Sequence, residues 1–241
     1  VKLTISRSIG TFAGDRRMVL LLILAACLLA GRAWLAAHPQ HDPWAPLDLR
    51  HPVGWATEAK LRALRDDVRA CRAVLERSDI AHEVLEPAGE GACRREDRTR
   101  LGDLPLSPAT TPVTCPAAIA LLLWERDFLD PSARRIFDSG IAEIEHLGAY
   151  SCRRLYGRDE GPWSEHATAN ALDIAGFVLE DGTRISVLRD WRGEGDEARF
   201  LREVRDGACG SFATVLSPDY NAAHADHFHF DMSPRWRGVC R

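Results

Sequence analysis

The stretch SEHATANALD, residues 164–173, sets His166 and Asp173 seven residues apart. Further along, HADHFHFD holds His224, His227 and His229, so three of the nine histidines share one short segment. Imidazole nitrogen and carboxylate oxygen are the ligands that zinc takes in open sites built from two histidines and a carboxylate. One histidine in such a place is more often a surface or hydrogen-bonded residue; two spaced motifs argue for a metal. Other hydrolytic or phosphate-binding signatures are missing. There is no GxSxG elbow, no HExxH and no glycine-rich loop ending in Lys-Ser/Thr, and Gly193-Glu194-Gly195 is only a two-glycine loop.

Both motif segments read as strand edges. From Phe228 to Met232 the period-two alternation puts His227 and His229 on one face and Phe228 and Phe230 on the other. Asp231 reads as that strand's terminator. Residues 170–178 predict a strand, Glu180-Asp181-Gly182-Thr183 a hairpin turn, and Arg184 to Leu188 the return strand. Upstream, Ile141–Ile144 and Tyr150–Arg153 predict strand pieces around a turn at Gly148, and Ala81–Leu85 and Phe212–Leu216 predict short strands. Leu61, Leu64, Val68, Cys71 and Leu75 form one apolar stripe, which predicts a helix beginning near Thr57 as its cap. Ala117 to Phe128, after the helix start Thr114-Cys115-Pro116, and Glu197 to Ala208 predict two more.

The body of the chain excludes some partners. Net charge is -4, yet residues 1–44 carry Lys2, Arg7, Arg16, Arg17 and Arg32 against only Asp15 and Asp42. The remainder is therefore acidic and lacks the basic face that nucleic acid requires. The basic flank Asp15-Arg16-Arg17 precedes an uncharged run from Met18 to Gly31, the pattern of an export signal. Counted on to Ala37, it is also long enough to span a bilayer, which favours a retained anchor over a cleaved signal. Leu24-Ala25-Ala26-Cys27 is similar to a lipoprotein signal, but apolar residues follow Cys27 where a polar tether belongs. Six further cysteines (Cys71, Cys93, Cys115, Cys152, Cys209 and Cys240) form no CxxC pair. In an exported body they read as up to three disulfides, with connectivity open. Residues 38–56 read as a proline-rich linker that lays Trp44 and Leu47 on the surface of a domain over residues 57–241.

SEHATANALDIAGF together with HADHFHFD resembles the bacterial extensin-like C-terminal domain family. More distantly it is similar to zinc peptidases that include D-alanyl-D-alanine carboxypeptidases and dipeptidases and the penicillin-insensitive murein endopeptidase. Their Ser-x-His motif with an Asp seven residues on corresponds to Ser164, His166 and Asp173, and their His-x-His corresponds to His227 and His229. The resemblance implies His166, Asp173 and His229 as ligands of a Zn2+ cofactor. It implies His227 as proton carrier, Asp226 as a carboxylate beside it, and His224 and Ser164 as substrate or outer-sphere contacts. Tyr150 and Arg153 are candidates for a peptide carboxylate. Two departures stand out. Ala169 replaces a common glycine, and Asp226 sits where many members carry a glutamate base.

The expected fold is α+β, with a small antiparallel sheet carrying the zinc site and helices around it, as in the D-Ala-D-Ala metallopeptidases. The expected function is a periplasmic peptidase acting on peptidoglycan peptides, membrane-bound through residues 1–37. Its rival is a zinc-containing module that binds wall polymer without cutting it.

Overall fold

A computed structural model describes residues 13–235 and 238–241. Lys2 and Arg7 of the basic flank lie outside the described residues. The leucine- and alanine-rich run that follows has no helix breaker and forms α1 (Ala13–Ala37). At about 1.5 Å per residue, the 24 residues Gly14–Ala37 reach far enough to cross a bilayer. The domain buries none of that apolar stretch. The same length and composition also serve as an export signal.

The proline-rich segment is not a loose surface strap. Trp44 is exposed, as its setting suggests, but Leu47 and Leu49 are 8% and 5% exposed. They close a small core made by Leu61, Leu64, Leu75, Ile119 and Leu123. Each such leucine is worth about 2 kcal/mol in apolar burial, which outweighs a turn-rich segment's preference for solvent.

The stripe beginning near Thr57 is carried by two helices, α2 (Thr57–Leu64) and α3 (Val68–Arg77). Asp67 starts the second by accepting a hydrogen bond from Ala70 N (2.9 Å), which satisfies an otherwise orphaned helix-start donor. Thr57 does not cap α2. Its Oγ1 instead accepts from Gly54 N and holds the preceding turn.

Strands β1 (His82–Val84) and β2 (Thr99–Leu101) make a separate antiparallel pair. The main sheet begins with β3 (Leu106–Ser107). The chain then leaves it through α4 (Cys115–Trp124), a π-helical turn over Glu125–Leu129, and α5 (Asp130–Phe137). It returns as β4 (Ile141–Gly148), β5 (Ala171–Leu179) and β6 (Arg184–Ser186). A short α6 (Val187–Asp190) and then α7 (Asp196–Ala208) precede β7 (Thr214–Leu216), β8 (Phe228–Asp231) and β9 (Val239–Cys240).

The strand order is β3-β4-β5-β8-β7-β9, with β6 also on β5. The fold is mixed α+β with helices flanking sheets. The main sheet has seven strands and is mixed, where a small antiparallel one was expected. β3 runs parallel to β4 because α4 and α5 supply the long crossover that parallel neighbours need, and β9 runs parallel to β7. Tyr150–Arg153 is not a strand. Residues 141–148 form one bulged strand instead, and the segment after it belongs to the site.

One face of the sheet is packed. Phe177 meets Trp124 and Phe200, Phe228 meets Trp191, and Trp124 and Phe230 lie edge to face at 5.3 Å. Trp124 Nε1 donates to Val204 O (2.8 Å), so the buried indole is satisfied. The six body cysteines pair as Cys71–Cys115, Cys93–Cys152 and Cys209–Cys240. The first closes a 44-residue separation, worth about 4 kcal/mol in the chain-entropy account. The second fastens the segment that leads into the site.

Candidate metal centre

The unpacked face of the sheet carries the functional side chains. Asp173 on β5 pairs in register with His229 on β8, so the two project to the same side as direct cross-strand neighbours. His166 arrives from the 3₁₀ turn Glu165–Thr168 just before β5. Ser164 opens that turn by accepting from His166 N (3.3 Å). Asn170 and Arg235 fasten it by donating to Glu165. Ala169 ends the turn at φ 59, in the left-handed region. A residue with a Cβ accepts that conformation at a cost of roughly 1 kcal/mol relative to glycine.

Three ligand atoms converge. His166 Nε2 lies 3.1 Å from Asp173 Oδ1 and 3.1 Å from His229 Nδ1, and His229 Nδ1 lies 2.9 Å from Asp173 Oδ1. A tetrahedral ion with bonds of about 2.0–2.2 Å separates its ligand atoms by about 3.3–3.6 Å, so this triangle is slightly tighter than one face of such a shell. Their other ring nitrogens are occupied. His166 Nδ1 donates to Ala149 O (3.0 Å), and His229 Nε2 donates to Asp231 Oδ2 (3.0 Å). Outer bonds of this kind orient each imidazole so that its inner nitrogen can give a lone pair to a metal once that nitrogen is deprotonated, as metal-ligating histidines require. A buried His/Asp/His cluster compatible with metal binding is therefore present.

The outer bonds have identifiable causes. Gly148 at φ 121 lets bulged β4 turn so that the next carbonyl, Ala149 O, meets His166. Asp231 is buried and held by Ser233 N (2.9 Å to Oδ1). It does more than end a strand, because it orients His229. The period-two signal that aligned His227 with His229 also places Asp231 on that face, and this was the missed clue.

The remaining candidates surround the cluster. His227 Nδ1 donates to Asp226 Oδ1 (2.7 Å), and His227 Nε2 lies 3.7 Å from Asp173 Oδ1. Asp226 therefore orients His227 and touches no member of the triad. His224 Nδ1 donates to Asn221 Oδ1 (2.8 Å), and its ring sits 5.2 Å from His227. All three histidines of the second motif, with His166, Ser164 and Arg153, line one cleft of about 360 Å³. Tyr156 lines it too and meets Tyr220 hydroxyl to hydroxyl at 3.3 Å. Tyr150 does not join this cleft; it stacks under Arg95.

Charge follows from these contacts. Burial by itself would raise the Asp173 carboxyl, but hydrogen bonds from His166 and His229 hold it far below the ordinary carboxylate range. Burial would likewise lower His229, yet Asp173 and Asp231 push it up to about 9. His224 is lowered to about 4 by burial and by the nearby His229 and His227, so it is neutral at physiological pH.

In the metal-free protein these protonation states are linked to stability. The raised His229 stabilises the fold fully below its unfolded value of about 6.5, and that contribution is lost as pH rises through about 9. The depressed Asp173 contributes above its unfolded value and is lost under strong acid. The melting temperature of chelated protein should therefore fall between pH 6.5 and about 9. Metal must displace the His229 proton, so apparent affinity should rise about tenfold from pH 7 to pH 8. Thermal melts and metal titrations across this range check both trends. A flat affinity profile would mean that no proton leaves His229 when metal binds.

The chain matches no curated protein and no solved structure. A family model does match: residues 69–241 fit the extensin-like protein C-terminus. That span holds the whole sheet, both motifs and the cleft between them, and the chain belongs to the extensin-like C-terminal family.

Proposed function

We propose that the protein is a zinc-dependent peptidase of the bacterial cell envelope, acting on the peptides of peptidoglycan. The observation that carries this reading is the His166–Asp173–His229 triangle, open to a cleft where two further histidines, His224 and His227, stand beside it. Two imidazoles, one carboxylate and outer hydrogen bonds to each ring suit zinc better than the harder, oxygen-preferring cations. Bound there, zinc supplies Lewis acidity toward a scissile carbonyl and acidifies water at neutral pH.

The chain's own groups would do the rest. His166, Asp173 and His229 hold the ion. Asp226 fixes the His227 ring so that Nε2 faces the reaction space, where it takes a proton and returns it to the leaving amine. His224, neutral and held by Asn221, offers a hydrogen bond without adding charge. Arg153 supplies the cation that a peptide carboxylate would seek. The resemblance of motif spacing to the D-Ala-D-Ala metallopeptidases supports the same chemistry. The apolar α1 and three disulfides support an oxidising compartment, with the domain anchored to the inner membrane.

Purified peptidoglycan incubated with the protein should yield new muropeptides by chromatography and mass spectrometry, with chelation stopping release and zinc restoring it. Wall that pellets the metal-loaded protein but stays intact, in cross-linked, uncross-linked and pentapeptide-rich preparations alike, would establish a binding module instead.

A further inference from the structure

The end of α1 is joined to the domain by aromatic contacts that the proposed chemistry does not use. Trp34, within the last turn of the helix, stacks on His38 at 4.6 Å and on His41 at 5.3 Å. His41 in turn meets Trp55 at 5.8 Å, and its Nδ1 accepts from Trp55 N. His38 N and Nδ1 both reach Trp34 O, which ties the next residue onto the helix end. Lys60, on α2, donates Nζ to Pro39 O at 2.6 Å. The passage from helix to domain is therefore bonded at several points rather than being a free tether.

This join leaves apolar surface beside the helix end. Trp44 is 85% exposed, Trp55 73% and Val53 47%. Large rings so exposed within about twenty residues of an apolar helix are placed as interfacial anchors are, since indole favours the headgroup layer. On the domain side the charges beside the rings are matched, while Arg32 stands exposed on α1 two residues before Trp34. Arg50 pairs with Asp48 and Asp79, and Lys60 is buried with Asp42 near it. The domain would thus meet a lipid surface with rings and not with net charge.

We propose that the face bearing Trp44, Val53 and Trp55 beds into the headgroup layer of the membrane that α1 crosses, holding the domain against the leaflet. This rests on the reading of α1 as a retained anchor. Trp55 follows Trp34 through one shared ring, so a Trp34 at the interface brings Trp55 to it. The occupant is the bilayer of the same helix, because the exposed rings are continuous with that helix's end.

The test uses the full chain in phosphatidylcholine vesicles whose lipids are brominated high on the acyl chain. Resistance to alkaline extraction scores insertion of α1 separately from docking. Trp44→Phe/Trp55→Phe removes two of the three interfacial reporters without removing aromatic surface. It should lose about two-thirds of the bromine-quenchable emission, leaving Trp34. Replacing about 30 mol% of the lipid with phosphatidylglycerol should change little, since the face is uncharged. An inserted chain whose double variant is quenched like wild type overturns the proposal and leaves the anchor standing. Shielding of Trp44 and Trp55 from iodide without bromine quenching also overturns it and assigns the face to a second copy of the chain. A chain extracted by alkali removes the anchor reading, and this proposal with it.

Discussion

His229→Ala, Asp173→Ala and His166→Ala should each strip most of the metal from a protein that otherwise holds about one zinc per chain. Each variant removes one corner of a triangle whose edges are 3.1, 3.1 and 2.9 Å. Two protein ligands cannot hold zinc in competition with buffer as three do. Asp231→Asn is the graded control. It keeps the volume but weakens the bond to His229 Nε2, and should cost about ten- to a hundred-fold in affinity rather than abolish binding. Metal analysis after dialysis, with circular dichroism to verify the fold, reads the series. Full occupancy in any two of the three alanine variants would reject the assigned ligands.

His227→Ala should keep zinc and lose turnover, by about 10²–10⁴-fold if its ring carries the proton. The geometry separates the two roles, because His227 Nε2 stands 3.7 Å from Asp173 Oδ1 and outside the triangle. Asp226→Asn should cost less, since Asp226 acts through the His227 ring and its own side chain is half exposed. An equal loss in both variants would make Asp226 the base. If His227→Ala releases muropeptides at the wild-type rate with metal retained, His227 has no part in the reaction. The pH dependence distinguishes proton transfer from packing: a group that only fills space would leave the profile's shape unchanged.

The sequence by itself determined the ligand candidates and their strand. Seven-residue spacing in the first motif and alternation in the second are local, and the backbone geometry of one strand already sets which of Phe228, His229 and Phe230 face together. It also carried the six-cysteine framework and the long apolar helix, which depend on composition and length. Register was beyond it. Only the pairing of Asp173 with His229, between strands 56 residues apart, brings the two donors together. A slip of one residue would have sent one of them into the phenylalanine core.

The outer hydrogen bonds were equally invisible, because Ala149 contributes a backbone carbonyl that any residue could offer. Asp231 could be aligned by period two, but its hydrogen bond to His229 Nε2 depends on the side chain's rotamer. Disulfide connectivity and the burial of Leu47 and Leu49 also waited on tertiary packing. Both result from which helices meet across the small core, and spacing along the chain does not specify that.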